Sequence, residues 1–333
     1  GPKTYPAGTS SAYNLIPNLD IGDFLGVSGK LFKTQAGELT VEVSEFTLLS
    51  KSLRPLPSKW YGLRDVEERY RRRYLDLIFN PQIKEIFILK TKFWENIRQY
   101  LKDAGFLELE TPVLETVTGG ADAAPFITHH KALNIDLYLR ISQEIYLKRL
   151  IVAGFEKIFE IGRVFRNEGM DAEHLQDYIL LEFYWAYADY NELAKFVEDF
   201  YKTIIKKTFG TLVFNFKGEK IDWGKKWSKL DYFEVFKIET GLDLEKVTED
   251  ELRNYAKETG DKPPKFYSKG RLIDLIYKRK IRPKLIQPVF LVNHPVETSP
   301  LAKKLPDNPK KIQRLQVMAA GTELGHGYSE LND

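Results

Sequence analysis

The stretch from Lys157 to Asp189 constrains the fold most, because it reads as two β-strands joined by a polar loop. Side chains of a strand point alternately to opposite faces, and here one face of each strand is apolar. The other face has ionisable groups at positions where a buried strand has apolar ones. The residues predicted to share this face are Glu160, Arg166, Glu168, Glu182 and Tyr184.

Burying a charged strand face costs free energy unless its charges are paired or used in binding. The pattern therefore leaves two interpretations open. The face is either an internal salt-bridge network or the floor of a polar binding site.

The composition is that of a globular protein with one large and one smaller domain. With 333 residues, 43% of them hydrophobic, the chain can build a proper core. It has no cysteine, which excludes disulfides, thiolate catalysis and cysteine-ligated metal centres and fits a reducing cytoplasm, the predicted location. No apolar run is long enough to span a bilayer, so no membrane association is expected. The net charge is only +3, so contact with a nucleic acid would need a local basic patch.

The chain is predicted to divide at a stiff segment from residue 51 to residue 59 that contains Pro55 and Pro57. Residues 21–49 before it read as short strands punctuated by glycines, too few to close a barrel alone. We therefore predict domains at 1–54 and 55–333.

The larger part is predicted to mix helices and strands. The predicted helices cover 63–78, 83–100, 143–154, 192–207, 248–257 and 272–277. The predicted strands, besides the central pair, cover 106–114, 133–139, 288–292 and a strand pair in 212–223 that turns at Gly218. The fold class is therefore α+β.

Four arginines follow one another closely in the first of these helices: Arg69, Arg71, Arg72 and Arg73. Such a run is either a solvated or ion-paired face, or a set of phosphate contacts to a nucleic acid. The sequence alone favours the first interpretation.

Six segments resemble class II aminoacyl-tRNA synthetases, specifically the lysyl branch of subclass IIb. They are PLPSKWYGLRDVEERYRRRYLDLI (55–78), FLELETPVLETVTGGADAAPFITHH (106–130), LYLRISQEIYLKRLIVAGFEKIFEIGRVFRNEG (137–169), EFYWAYADY (182–190), LIQPVFLVNHPVETSPLAK (285–303) and GYSELND (327–333). FRNEG after a strand marks the class, while EFYxAYADY and YSELND mark the lysine branch. The resemblance runs from about Tyr13 to Asp333.

The resemblance implies an antiparallel catalytic sheet flanked by helices, with a partial OB-fold barrel for the anticodon at the amino end. It implies ATP-dependent activation of L-lysine to lysyl-adenylate and transfer to the 3′ end of tRNA-Lys, with Mg²⁺ as cofactor. It also implies a homodimer, formed through the helix at 83–101 and the strand containing Pro112.

The same resemblance assigns the site residues. Arg166 is the catalytic residue, which bridges the lysine carboxylate and the α-phosphate of ATP, as a guanidinium fork suits two anions. The ATP-binding set is Arg166, Glu168, His174 and Tyr178. The lysine-binding set is Gly120, Glu144, Arg166, Glu182, Tyr184, His326, Tyr328 and Glu330. Glu323 is the metal candidate, and Gly325 and Gly327 are expected to allow a bulge that turns it toward the site.

The chain departs from the family pattern at three places. Ser142-Gln143 replaces the usual Ala-Pro, His326 stands where asparagine is usual, and Gln316 occupies the second metal-carboxylate position. Gln316 is expected to reduce the number of metal ions held, because it has no charge.

The sequence also lacks the glycine-rich strand and helix that follow YSELND in the family, and the first strands of the barrel. We expect the chain to be a piece of a longer molecule. If it is not, a catalytically inactive tRNA-binding protein is the alternative. A paralogue that transfers a lysine-like group to elongation factor P is less favoured, because it lacks the barrel that the strands at 21–49 indicate.

Overall fold

The computed structural model describes residues 4–6, 14–54, 56, 63–169, 174–299 and 301–332. It divides into two compact units, Gly1–Ile88 and Leu89–Asp333. The domain boundary predicted after residue 54 stays a prediction, because Pro55 and residues 57–62 lie outside the described residues.

The first unit contains an antiparallel sheet of three strands in the order β1-β3-β2. The strands are β1 (Thr4–Pro6), β2 (Phe24–Lys33) and β3 (Leu39–Ser50). The short strands predicted on either side of Gly29 are one continuous strand, in which a Cβ at Gly29 would lie 1.9 Å from the backbone oxygen of Glu42. The described residues form no closed barrel, so the predicted OB-fold is not confirmed.

Two short helices, α1 (Val66–Arg71) and α2 (Arg73–Phe79), replace the single helix predicted over 63–78. The break falls at Arg72, whose φ of −119° and ψ of 54° are not helical. Arg69 and Arg73 both pair with Asp76, which is fully buried. The other two arginines pair with Glu67 and Glu68. The ion-paired interpretation of this arginine run is therefore confirmed.

The second unit begins within α3 (Ile83–Asp103), which precedes the short strands β4 (Leu107–Glu108) and β5 (Leu114–Glu115). The strand predicted over 106–114 was expected to be interrupted by Pro112, and the structure has two short strands with Pro112 between them. Proline has no N–H to donate to a strand ladder. Two further strands, β6 (Ile127–His130) and β7 (Ile135–Leu139), complete a sheet in the order β5-β7-β6.

The predicted central strand pair is present. Helix α4 (Glu144–Val152) precedes β8 (Lys157–Phe165) and β9 (Asp177–Trp185), and α5 (Tyr190–Phe209) follows. β8 pairs antiparallel with β9, and β4 pairs parallel with β8. Strand β8 ends at Phe165, so Arg166 and Glu168 lie beyond it rather than on its face.

The apolar face of this strand pair packs against α3 and α5. Phe159 is fully buried in one cluster with Phe200 of α5 and Leu101 of α3. Phe106, Phe183 and Phe196 add edge-on and tilted ring contacts. Because alternation then turns Glu160, Glu182 and Tyr184 to the other side, the predicted division into two faces is confirmed.

The remaining elements follow in chain order. They are β10 (Val213–Phe216), β11 (Glu219–Asp222), β12 (Ser228–Asp231), α6 (Tyr232–Thr240), α7 (Glu249–Glu258), α8 (Lys269–Ile276), β13 (Val289–Pro295), β14 (Lys304–Leu305), β15 (Asn308–Ala319) and β16 (Thr322–Tyr328). The predicted turn at Gly218 is confirmed, and a capping box of Thr248 and Glu251 begins the helix predicted over 248–257.

A five-stranded sheet has the order β12-β13-β15-β14, with β16 paired to β15. Only its β12–β13 pair is parallel, so the described sheets are mixed rather than purely antiparallel. Helices α6 to α8 pack on one side around Phe236, Leu272 and Leu291. No helix among the described residues has the length and apolar character needed to cross a membrane.

Candidate active site

Glu182 on β9 is the centre of the first polar cluster. Its Oε1 accepts hydrogen bonds from Ser142 Oγ at 2.6 Å and from the backbone N–H of Gln143 at 3.2 Å. Its Oε2 accepts one from the Tyr184 hydroxyl at 3.0 Å. Burial raises the pKa of Glu182 although these donors act to lower it. The cluster is a half-buried carboxylate held in one orientation.

Glu160, directly opposite Glu182 in the register, belongs to a structural ion pair instead. Glu160 is 3% exposed, and its Oε1 lies 2.6 Å from Nη1 of Arg140, which is equally buried. Thr111 donates to its Oε2 at 2.6 Å. The salt-bridge interpretation of the charged face is therefore confirmed for Glu160. For Glu182 the binding-site interpretation stays a prediction.

A second cluster joins α4 to the end of β16. Tyr328 donates its hydroxyl to Glu144 Oε1 at 3.0 Å, and burial raises the pKa of Tyr328 to about 12. Lys148, one turn along α4, lies 2.5 Å from the same oxygen of Glu144 and 3.0 Å from Glu330 Oε1. Three members of the predicted lysine-binding set, Glu144, Tyr328 and Glu330, are thus brought together.

Lys148 was missed by the sequence analysis. The available signal was its position four residues after Glu144, the spacing at which helical side chains pair. That spacing does not predict the contact with Glu330, which is 182 residues away in sequence.

Gly120 lies against both clusters. Its φ is +87°, and a Cβ there would lie 2.9 Å from Ser142 Oγ and 2.9 Å from Glu144 Cβ. Real Cβ atoms do not approach other atoms so closely, so only glycine fits this position. The predicted role of Gly120 in lysine binding stays a prediction.

Arg166 contacts the first residue of the segment 141–144, whose other residues contact the two carboxylate clusters. Its Nε donates to the backbone oxygen of Ile141 at 3.3 Å, and its guanidinium lies 5.5 Å from the centre of the Tyr178 ring. Residues 141–144 therefore contact Arg166, Glu182 and Tyr328 in turn. This short segment connects the arginine with both carboxylate clusters.

The other predicted ATP ligands are less constrained. Glu168 is exposed and its carboxylate forms no hydrogen bond with a described residue. His174 is exposed and follows residues 170–173, which lie outside the described residues. Their roles stay predictions.

A third cluster surrounds Glu323. Leu324 is an extra residue in β16, because Val317 pairs with Gly325 whereas Met318 pairs with Glu323. This irregularity confirms the predicted bulge and brings Glu323 beside His326, with 2.9 Å between Oε1 and Nδ1. Gln316 Nε2 donates to Glu323 Oε2 at 3.0 Å. Burial would raise the pKa of Glu323, but the contact with His326 lowers it.

This third cluster does not fit a magnesium site. Mg²⁺ needs oxygen ligands, and here both carboxylate oxygens accept hydrogen bonds while Gln316 presents its NH₂ group. The described residues include no group of three potential acidic, histidine or cysteine ligands. Glu323 as a metal ligand stays a prediction without support from this geometry.

Comparison with known proteins places the chain in a family. The family model for tRNA synthetases class II (D, K and N) matches residues 65–333. The chain belongs to this class II family. Among curated relatives, lysine–tRNA ligase of Carboxydothermus hydrogenoformans is 46% identical over 97% of this chain and 66% of its own length. Lysine–tRNA ligase of Bacillus subtilis is 46% identical over 96% of this chain and 64% of its own length.

A third relative, lysine–tRNA ligase of Halalkalibacterium halodurans, is 45% identical over 97% of this chain. The class II chain thus spans 64–66% of the length of these relatives. The predicted resemblance to class II synthetases is confirmed.

Proposed function

We propose that this class II chain activates L-lysine with ATP, forming lysyl-adenylate, and transfers the lysyl group to the 3′ end of tRNA-Lys. The observation that supports this proposal most is a group of three carboxylates and two phenols that residues 141–144 connect with one arginine. Its members are Glu144, Glu182, Glu330, Tyr184, Tyr328 and Arg166. The names of the relatives agree with it.

The charges of the pocket match those of lysine. In the proposal, Glu144 receives the α-ammonium group, and Glu330 with Tyr184 receives the ε-ammonium group. Gly120 leaves room for the backbone of the substrate beside Glu144. His326 and Tyr328 extend the same wall along β16. A neutral substrate side chain would compensate none of the negative charge of these carboxylates, and an acidic one would add to it, which is costly in a half-buried site.

Arg166 serves the other end of the substrate. Its guanidinium contacts the lysine carboxylate and the α-phosphate together, so that a carboxylate oxygen is aligned for attack on the α-phosphorus. Pyrophosphate then leaves, and the guanidinium stabilises the extra negative charge on the phosphorus in the transition state. Tyr178, which already lies beside Arg166, stacks on adenine, and Glu168 accepts from its amino group. Magnesium, where bound to the phosphates of ATP, would neutralise part of their negative charge.

We further propose a cytoplasmic homodimer. The sheet β5-β7-β6 supports this, because apolar side chains on it are exposed to solvent: Leu114 (46%), Ile127 (65%) and Ile135 (40%). Exposed apolar residues clustered on one sheet are typical of an interface. Light scattering coupled to gel filtration tests the dimer, and a monomeric mass at micromolar concentration would contradict it.

The decisive test of the function is amino-acid-dependent exchange of labelled pyrophosphate into ATP. We expect exchange with lysine and none with arginine, ornithine, aspartate or asparagine. Arg166→Ala should lower the exchange rate by about a thousandfold, the effect of losing a central charged donor in a transition state. Arg163→Ala is the matched control, since Arg163 on the same strand pair is exposed and pairs with Asp177. Exchange with no amino acid, or equal loss in both variants, would contradict the proposal.

A further inference from the structure

Lys148 lies inside the pocket proposed for the substrate, yet the proposed function gives it no role. Its ammonium group is 2.5 Å from Glu144 Oε1, 3.0 Å from Glu330 Oε1 and 3.3 Å from the Tyr328 hydroxyl. Glu144 and Glu330 are the proposed receptors of the two ammonium groups of lysine. The chain therefore offers an ammonium of its own to both receptors at once.

This ammonium is a fixed part of the site. The Lys148 side chain is 23% exposed, and although burial acts to lower its pKa, the hydrogen bonds to Glu144 and Glu330 raise it. It therefore stays charged wherever the enzyme is folded near neutral pH. The Lys148 ammonium also limits the separation of the two carboxylates. The contacted oxygens of Glu144 and Glu330 can be no farther apart than the sum of their distances to Lys148 Nζ.

The net charge of the site indicates a role for Lys148. Without it, the carboxylates of Glu144, Glu182 and Glu330 outnumber the Arg166 guanidinium by two, whereas lysine brings a net charge of one. With Lys148 included, the net charge of the pocket equals that of lysine with the opposite sign. An amino acid with only one ammonium group leaves one carboxylate uncompensated.

We propose that Lys148 is a positioning residue that determines specificity for a substrate with two ammonium groups, an inference that rests on the proposed function. It occupies one oxygen of Glu144 and one of Glu330, and the second oxygen of each accepts no hydrogen bond from a described residue. Those oxygens remain for the ligand. Because the receptors are held in place beforehand, the ligand does not have to order them.

Removing the ammonium should weaken lysine binding. In Lys148→Met, the carboxylates of Glu144 and Glu330 lose their shared cation and repel each other. Glu330, whose side chain is already 49% exposed, then turns to solvent and must be reordered by the ligand. This loss outweighs the relief of repulsion between Lys148 and the substrate, because the substrate ammonium groups bind the carboxylate oxygens that Lys148 does not contact. We expect the Kd for lysine to rise about tenfold.

The experiment measures lysine and norleucine binding by calorimetry, together with KM and kcat for pyrophosphate exchange. Norleucine has the length of lysine but a single ammonium group. The variants are Lys148→Met, Lys148→Arg and Lys202→Met. The last is the matched control, because Lys202 pairs with Glu198 at 2.6 Å with the same spacing and its side chain is 24% exposed.

We expect Lys148→Met to raise KM with kcat nearly unchanged and to reduce the preference for lysine over norleucine. Lys148→Arg should restore most of the affinity, and Lys202→Met should have no effect on it. Wild-type affinity in Lys148→Met, or an equal loss in Lys202→Met, would overturn the inference alone. Wild-type protein that binds no lysine would overturn the proposed function together with it.

Discussion

Ser142 donates a hydrogen bond of 2.6 Å to Glu182, a contact between the residue two before α4 and the middle of β9. The same hydroxyl oxygen accepts from the backbone N–H of Glu144 at 3.1 Å. One side chain thus orients the carboxylate of Glu182 and the start of the helix that presents Glu144. This contact lies where the chain has Ser142-Gln143 instead of the Ala-Pro that the family resemblance leads us to expect.

Ser142→Ala should therefore weaken lysine binding about fivefold, the usual effect of losing one hydrogen bond. Burial already raises the pKa of Glu182, and the Ser142 contact counteracts it. Without that contact the pKa rises further, so the loss should grow as the pH falls and the carboxylate becomes neutral. Calorimetric Kd values at several pH values check this.

The control for this variant is Thr111→Ala, which removes a hydroxyl contact of equal length, 2.6 Å, to Glu160 in the same sheet. It should change stability without changing lysine affinity. Equal lysine affinity in the Ser142 variant and the wild type would show that the hydroxyl has no part in binding.

Two glycines allow the effect of a steric clash on binding to be separated from the effect of backbone strain. Gly120 and Gly105 have nearly the same φ, +87° and +84°, but a Cβ at Gly105 meets nothing within 4 Å. Both alanine variants should lose about 1–2 kcal/mol of unfolding free energy from the left-handed backbone. Only Gly120→Ala should displace Ser142 and Glu144, with at least a tenfold loss of lysine affinity. Denaturant unfolding and calorimetry measure both effects, and parallel affinity losses in the two variants would contradict the assignment.

The predictable parts of the fold are those with a local cause. The alternation along β8 and β9 predicts both faces because strand side chains repeat every two residues. The capping box of Thr248 and Glu251 is predictable because its partners are three residues apart. The bulge in β16 was predicted from glycines that permit it.

The parts that were missed depend on contacts between distant residues. The break at Arg72 follows from two arginines that converge on the buried Asp76, which no helical pattern reveals. The contact between Lys148 and Glu330 joins residues 182 apart in sequence, so no local pattern indicates it. The resemblance predicted Glu323 as a metal ligand. In this chain the amide of Gln316 donates a hydrogen bond to Glu323, which the resemblance does not predict.

Gln316 offers a test of how the third cluster treats metal ions. Gln316→Glu replaces the amide that donates to Glu323 at 3.0 Å with a second carboxylate. Without divalent ions the like charges should lower the Tm by about 3–6 °C, equivalent to roughly 1–2 kcal/mol. Millimolar Mg²⁺ should restore the Tm of this variant and leave that of the wild type unchanged. Gln313→Glu on the same strand is the control, and an equal Mg²⁺ response in the wild type would contradict the prediction.

His294 should make stability depend on pH. Its ring is 2% exposed and lies 5.0 Å from that of Tyr232. Burial, aided by the charge of Arg314, lowers the pKa of His294 from its ordinary 6.5 to about 3. Below pH 6.5 the unfolded chain therefore takes up a proton that the folded chain does not. The free energy of unfolding should fall with decreasing pH by up to about 1.4 kcal/mol per unit until the folded pKa is reached.

His294→Phe keeps a ring but cannot be protonated, so its free energy of unfolding should decline less between pH 6.5 and pH 4. Urea unfolding at half-unit pH steps measures the slope for both proteins. His129→Gln serves as the control, because His129 lies on an exposed part of β6 and its replacement should leave the wild-type slope intact. If the free energy of unfolding has the same pH dependence in wild type and His294→Phe, then groups other than this buried imidazole determine the acid sensitivity of the protein.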